Sequence, residues 1–297
     1  MVAVYKALFN LVVAFFLVLS LEGIARKVVA RIQRRIGPPW YQSFIDVFKA
    51  LSKHPFSNAW VFDFGVLMAL GGAIATAMII PMGSTTWTPF PNSDNFFVIM
   101  YLFTVGALGM AMGMVGSGSP WAAIGVSRAL TQMLGYELPY LIVMSSVMYF
   151  YKTSSIHRLI EVQSGGKWNL FVMPLGAIVA FISLMGMLGK KPFDIAVAPA
   201  EIASGPMVEL SGKYLGLLHI MHVFSIFVEI SLFVDVFLGG GNLGWFLVKF
   251  ITVWILAVMI SAVLPRFRIE QMLRFYWRVP LGLAFLNALF VLLGWTL

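Results

Sequence analysis

No cysteine occurs in the 297 residues, and only 11% of them are charged. The first absence excludes disulfides, Cys-ligated zinc and any iron–sulfur cluster held by this chain alone. The second excludes a water-soluble globule, whose charged share runs near ~25%. Also missing are a phosphate-binding Walker loop, a glycine motif for a dinucleotide, and a Ser/His/Asp set with a nucleophile elbow. The chain is therefore expected to carry no catalytic residues, no metal ligands and no bound cofactor of its own. Any redox centre is a diffusible molecule or belongs to a partner.

What is present is apolar residue in bulk. Sixty per cent of the chain is hydrophobic, and the apolar residues come in blocks of roughly 20, enough for a helix to cross ~30 Å of hydrocarbon. Eight blocks stand out, at about 3–24, 59–82, 95–115, 124–150, 168–189, 213–238, 243–264 and 279–296. The ten-residue alternation of an outer-membrane barrel is absent. The first block runs into a basic stretch without a small-residue cleavage site, unlike a signal peptide. The expected fold is an all-α integral membrane protein, a single transmembrane domain over 1–297 built as a bundle of about eight helices.

The net charge of +8 then reads as orientation. Fifteen of the twenty Lys and Arg residues fall in the loops joining spans 1–2, 3–4, 5–6 and 7–8 or in the first turns of the spans that follow them. The positive-inside bias puts those loops in the cytoplasm and both termini outside a cell membrane. Nucleic acid is not an expected partner.

The first basic loop carries Arg26, Lys27, Arg31, Arg34 and Arg35, then the break Gly37-Pro38-Pro39. After it, Trp40, Phe44, Val47, Phe48 and Leu51 follow the spacing of one helical face. This predicts an amphipathic helix that lies at the membrane interface, walls a cavity or docks a soluble partner. Asp46 and Lys49 fit either a surface ion pair or that docking role.

Acids inside spans carry more information, because an ionisable group in hydrocarbon is costly and normally faces protein or water. Arg128, Gln132 and Tyr136 share a face of span four, and Glu137 follows them. Span six carries His219, His222, Ser225 and Glu229 on one stripe, with Asp235 further toward the outside. Such groups serve as structural hydrogen-bonding residues or as steps of a proton or ion path. Two histidines at i,i+3 do not make a metal site without further ligands. Loop 5–6 adds Asp194, Glu201 and Glu209 among apolar neighbours, and its prolines and glycines prevent one regular helix.

Four segments resemble one known family. They are Ala30-Arg31-Ile32-Gln33-Arg34-Arg35-Ile36-Gly37-Pro38-Pro39, Arg128-Ala129 with Gln132 and Tyr136-Glu137, Pro192-Phe193-Asp194 with Gly205-Pro206 and Glu209, and Leu264-Pro265-Arg266 with Arg268, Gln271, Arg274 and Trp277. The family is the quinone-module membrane subunit of respiratory complex I (subunit 1, or H), with its counterparts in membrane-bound group 4 NiFe hydrogenases. Gly37-Pro38-Pro39 is closer to the hydrogenase branch, because complex I members usually read Gly-Pro-Asn. Ala196-Val197-Ala198-Pro199 stands where the family usually has Pro-Glu-Ala-Glu, and Leu210 stands where Tyr is usual. Those departures point away from quinone chemistry of the complex I type.

The resemblance implies a membrane subunit of a respiratory oxidoreductase, related to an energy-converting hydrogenase or a sulfur-reducing assembly. It implies a NiFe-type large subunit, an iron–sulfur small subunit and antiporter-like membrane subunits as partners, with the NiFe centre and clusters on them. Asp194, Glu201 and Glu209 would open an ion path, Glu137 and Glu229 would relay it with Asp235 beyond, and His219 and His222 would assist. Arg31, Arg34, Arg35, Asp46, Lys49, Arg266, Arg268 and Arg274 would dock the peripheral module. The alternatives are a quinone-binding subunit of a complex I-type NADH or F420H2 dehydrogenase, and an independent secondary ion transporter.

Overall fold

The computed structural model describes residues 2–54, 59–83, 89–90, 94–202 and 204–295. In chain order its helices are α1 (Val2–Ile32), α2 (Gln42–Leu51), α3 (Trp60–Ile79), α4 (Phe96–Gly116), α5 (Pro120–Tyr151) and α6 (Ile156–Gln163). They continue with α7 (Asn169–Val172), α8 (Pro174–Met187), α9 (Pro199–Ile202), a 3-10 turn (Gly205–Met207), α10 (Gly212–Phe237), α11 (Leu243–Val263), α12 (Ile269–Arg278) and α13 (Pro280–Leu292). No strand occurs among the described residues. Among the described residues seven helices are long and apolar enough to cross a membrane, α12 and α13 counting together as Ile269–Leu292. The chain is a multi-pass membrane protein.

The block at 168–189 is not a continuous span. Pro174 disfavours helical backbone at the residue before it, and Met173 accordingly has φ −133° and ψ 66°, dividing α7 from α8. The remaining 14 residues of α8 reach only about 21 Å at 1.5 Å per residue. Conversely, α1 has 31 residues, about 46 Å by the same rise, so its last turns carry Arg26, Lys27 and Arg31 beyond the hydrocarbon. The segment 264–278, expected as a loop, contains the helix α12. A further helix, α6, occupies the short connection after span four. Most of the 81–94 loop lies outside the described residues.

The bundle is organised around α10, in which every residue from Ile226 to Phe237 is buried. Helices α3 and α4 make the closest approach. A Cβ placed on Gly72 would stand 2.7 Å from the Gly106 backbone nitrogen, and one on Gly65 would meet the Gly113 backbone. Small residues at such spacing let backbones touch, which is how membrane helices gain packing without a hydrophobic drive. The ends of α1, α8 and α11 and the starts of α5 and α10 meet at one end, which also holds α2, α12 and the basic loops.

Candidate functional site: a charged mouth over a methionine-lined cavity

At the basic end the loop between α8 and α10 folds over the bundle and is tied to the α11–α12 connection. The Phe267 amide donates to the Pro192 carbonyl at 2.9 Å. The Phe193 ring packs on Phe267, Phe275 and Tyr276. Gly125 lets α5 press against Pro206, where a Cβ would stand 2.5 Å from the proline ring. These contacts bring acids from the loop to arginines from two other elements. Arg266 Nη2 lies 2.7 Å from Asp194 and its Nη1 lies 3.5 Å from Glu201, while Arg128 Nη1 meets the other Glu201 oxygen at 3.0 Å. The hydrogen bond from Arg128 and the adjacent Arg266 guanidinium hold the Glu201 carboxyl below its ordinary range. Arg266 is therefore a half-buried bridge between two acids rather than an outward docking residue.

Beneath this mouth is a cavity of about 290 Å3 between α4, α5, α10 and the loop. Six methionines, Met110, Met114, Met133, Met187, Met207 and Met221, give it a soft apolar lining. Long flexible thioethers adapt to irregular contents better than branched side chains do. Its polar wall consists of Gln132, Tyr136, Lys190, Asp194, His222, Ser225 and Glu229. Glu229 is 5% exposed, and its Oε2 finds no hydrogen-bond partner among the described residues. Gln132 donates to the Gly186 carbonyl at 2.9 Å and leaves its own carbonyl oxygen without a donor. The cavity thus runs from the charged mouth to a buried acid.

Two residues with no role expected from sequence complete the site. Glu22, near the end of α1, lies 3.6 Å from His219 and is 11% exposed. Lys190 lines the cavity and rests over the Trp254 ring at 4.8 Å. Burial lowers the Lys190 proton affinity below its ordinary value, with Glu22, Asp194 and Glu229 opposing the shift. The histidine stripe divides accordingly, His219 facing Glu22 and His222 facing the cavity. The signal for Glu22 is a lone acid inside the first apolar block. Lys190 stands in sequence as one basic residue among several in its loop.

The other acids are dispersed. Glu137 does not line the cavity and lies beside the Thr104 hydroxyl of α4. Tyr136 sits within electrostatic reach of both Glu229 and Glu137. Asp235, 0% exposed, lies one and a half turns beyond Glu229 with its carboxylate turned toward the Gly83 backbone outside hydrogen-bond geometry. Lys249 donates to the carbonyls of Leu238 at 2.6 Å and Gly240 at 2.8 Å. Glu209 is exposed on the loop surface, apart from the Asp194–Glu201 cluster.

Among the docking candidates, Arg31, Arg34, Arg35, Lys49 and Arg268 are exposed. Arg274 lies 3.9 Å from Glu270 on the exposed face of α12. Asp46 pairs with Arg26 at 2.8 Å and accepts from Gln42 at 2.9 Å, so it forms no pair with Lys49. Burial works against the Asp46 charge, but those two hydrogen bonds outweigh it and hold its carboxyl below the usual carboxylate range. Helix α2 buries Ser43 and Val47, while Phe48 points outward at 59% exposure, off the face its spacing suggested. Among the described residues no group of three or more His, Asp or Glu side chains is placed to hold a metal ion.

A polytopic α-helical membrane protein with a charged mouth, an adaptable cavity and buried carboxyls is the class that this geometry defines. The pattern describing NADH dehydrogenase matches residues 5–292, and the chain belongs to that family. It is 29% identical to the second H-type subunit of the NADH-quinone oxidoreductase of Geobacter sulfurreducens, over 95% of this chain and 94% of that one. It is 27% identical to the H-type subunit of the F(420)H(2) dehydrogenase of Methanosarcina mazei, over 89% and 85% of the two chains. A chain in the structure of the membrane-bound sulfane sulfur reductase, an archaeal respiratory membrane complex, superimposes with a TM-score of 0.93. That chain is 36% identical, and the match covers 98% of this protein and 100% of its counterpart.

Proposed function

We propose that this protein is the membrane subunit of a multisubunit respiratory oxidoreductase. It anchors a peripheral redox module at its basic end and couples electron transfer there to proton or ion translocation through buried acids. The observation that supports this reading is that Asp194, Lys190, His222 and Glu229 line one cavity. Charge changes at a docked redox centre act on the mouth electrostatically, and each unit of pKa shift at a carboxyl corresponds to about 1.4 kcal/mol. The Asp194–Arg266–Glu201–Arg128 cluster receives that change, Glu229 carries it inward, and Tyr136 passes it toward Glu137. Asp235 serves the far end, and His219 with Glu22 flanks the route. Glu209, being exposed, has its place at the docking surface with Arg31, Arg34, Lys49, Arg268 and Arg274.

Likeness over nearly the full length to a respiratory sulfane sulfur reductase chain supports a hydrogenase-like or sulfur-reducing assembly. The partners then include a large subunit and an iron–sulfur small subunit of the NiFe-hydrogenase type, with antiporter-like membrane subunits. Isolation of the tagged chain from native membranes tests this. Recovery of a metal-containing redox module with further membrane subunits supports the reading, and recovery of the chain alone as an active transporter overturns it.

A second reading is favoured by the lining of the cavity. Six methionines above a Tyr, His and Lys suit a quinone-like redox lipid. Extraction of a stoichiometric quinone from the purified complex, with inhibition by quinone-site ligands, would put that reading first.

A further inference from the structure

A second large hollow, a groove of about 560 Å3, opens at the basic end between the last turns of α1 and α11. Its carboxylate is Glu22, whose Oε2 is buried and lies 3.6 Å from His219. The groove and the methionine-lined cavity share one lining residue among those described, Lys190. The Lys190 amine makes no ion pair or hydrogen bond among the described residues and rests over the Trp254 ring.

A lysine placed for structure alone would close on an acid. This one stands between acids, with Glu22 on the groove side and Asp194 and Glu229 in the cavity wall all within electrostatic reach. His222 of α10 faces it as well, and Arg26 is its positive neighbour, itself engaged by Asp46. The arginines of the groove wall, Arg26 and Arg35, stay charged and carry no proton through it. The mouth is poorly suited to delivering protons. Glu201 there is held ionised by Arg128 and Arg266 and takes up a proton only in acid. Glu22 is not locked to an arginine, its ion-pair neighbour being His219. Lysine adds reach through a flexible four-carbon stem, and burial loosens its hold on a proton.

Resting on the ion-translocating reading above, we propose that the groove is a second proton intake, in which Glu22 collects the proton and Lys190 swings it into the cavity. The Glu22 carboxyl gives up H+, and the neutral Lys190 amine takes it and becomes the ammonium. The Trp254 ring steadies that cation between its two positions. The ammonium then releases H+ to the Glu229 carboxylate, so that one proton moves and no electron does. The mouth senses the redox module, and the groove supplies the proton.

The test uses the whole complex in sealed vesicles. Lys190→Met keeps the stem and removes the amine. It should cut redox-linked pumping by about tenfold or more with assembly intact, a lost proton-transfer group being worth roughly a hundredfold where it alone limits. Glu22→Gln should do the same. Lys190→Arg keeps the charge but cannot release its proton, so it should pump as poorly as Lys190→Met. Recovery in Lys190→Arg would reduce Lys190 to a fixed charge and overturn the proposal. Lys191→Met should pump as the parent does, and equal loss there would assign the effect to loop charge and overturn it too. Full pumping in Lys190→Met, with Glu229→Gln inactive, would overturn the intake and leave the reading beneath it standing. A parent complex that pumps nothing would remove both. The water path has its own readout. The chain has no cysteine, so Ser225→Cys places a single thiol in the cavity wall. Lys190→Ala should speed its labelling by a charged, water-soluble methanethiosulfonate severalfold, and Ala30→Trp, which fills the groove, should cancel the gain. Labelling that Ala30→Trp leaves unchanged would mean that water enters by the mouth alone, and the proposal would fall.

Discussion

The Arg266 guanidinium lies 2.7 Å from the Asp194 carboxylate, across 72 positions of sequence, and its other terminal nitrogen faces Glu201. One arginine thereby closes the loop between α8 and α10 against the α11–α12 connection. Replacing it by glutamine leaves Glu201 with Arg128 and Asp194 with Lys190 within electrostatic reach. A half-buried hydrogen bond between charged groups contributes on the order of 1.5–3 kcal/mol. Arg266→Gln should therefore speed amide exchange in 190–210 by about tenfold or more, with little change in α10. Exchange in that loop as slow as in the parent would show that the pair does not hold it.

Acid should reach this cluster late. The Glu201 carboxyl is held below its ordinary value by Arg128 and the Arg266 guanidinium. A carboxyl depressed by folding contributes stability that is fully present above its unfolded-state pKa and disappears as pH falls through the folded value. Protection of the mouth should thus stay level from about pH 7 to about pH 5 and decline only below about pH 4, under the ordinary glutamate value of about 4.3. Glu201→Gln should remove part of that decline by leaving less to protonate. Exchange measured after brief acid pulses would reveal it, and a decline beginning near pH 6 would contradict the assignment.

The α3–α4 contact separates two neighbouring glycines. A Cβ on Gly72 meets the Gly106 backbone, whereas one on Gly71 meets nothing within 4 Å. Gly72→Ala should cost about 1–3 kcal/mol through overpacking. Gly71→Ala should be neutral or stabilise by up to about 1 kcal/mol, since glycine weakens a helix interior. Thermal unfolding of the two variants in one detergent measures the difference. Equal melting would mean that the helices can separate without loss.

The sequence patterns that proved legible are those with a local physical cause. Seven of the eight apolar blocks fall in helices long and apolar enough to cross a membrane, the last of them only together with α12. The eighth breaks at Met173, where one proline inside an otherwise apolar run overrides hydropathy. Helix α12 was hidden because arginines alternate with aromatics there, a pattern that a surface loop shares. The loop acids Asp194 and Glu201 and the span acid Glu229 were visible as charges in apolar surroundings. Their partners were not. Glu22 with His219 and Asp194 with Arg266 join distant parts of the chain, and no periodicity records which helix end will face which loop. In sequence Arg266 is indistinguishable from its exposed neighbours Arg268 and Arg274, and only the fold turns it inward.

Glu229 is buried and faces the cavity, whereas Glu137 is half-buried and does not, and this separates their expected behaviour. Glu229 forms part of the cavity wall with an unpartnered oxygen, whereas Glu137 lies beside Thr104, outside it. Glu229→Gln keeps the volume and removes the exchangeable charge, so the complex should assemble while redox-linked pumping into sealed vesicles falls by tenfold or more, about 1.4 kcal/mol or above. Glu229→Asp should recover part of it. Glu137→Gln should also abolish pumping with assembly intact, because the route continues through Tyr136 to that residue. Loss in Glu229→Gln with full pumping in Glu137→Gln would end the route at the cavity and remove Glu137 from it. Full pumping in both variants would show that this chain transmits charge or motion to its neighbours and conducts no ion itself.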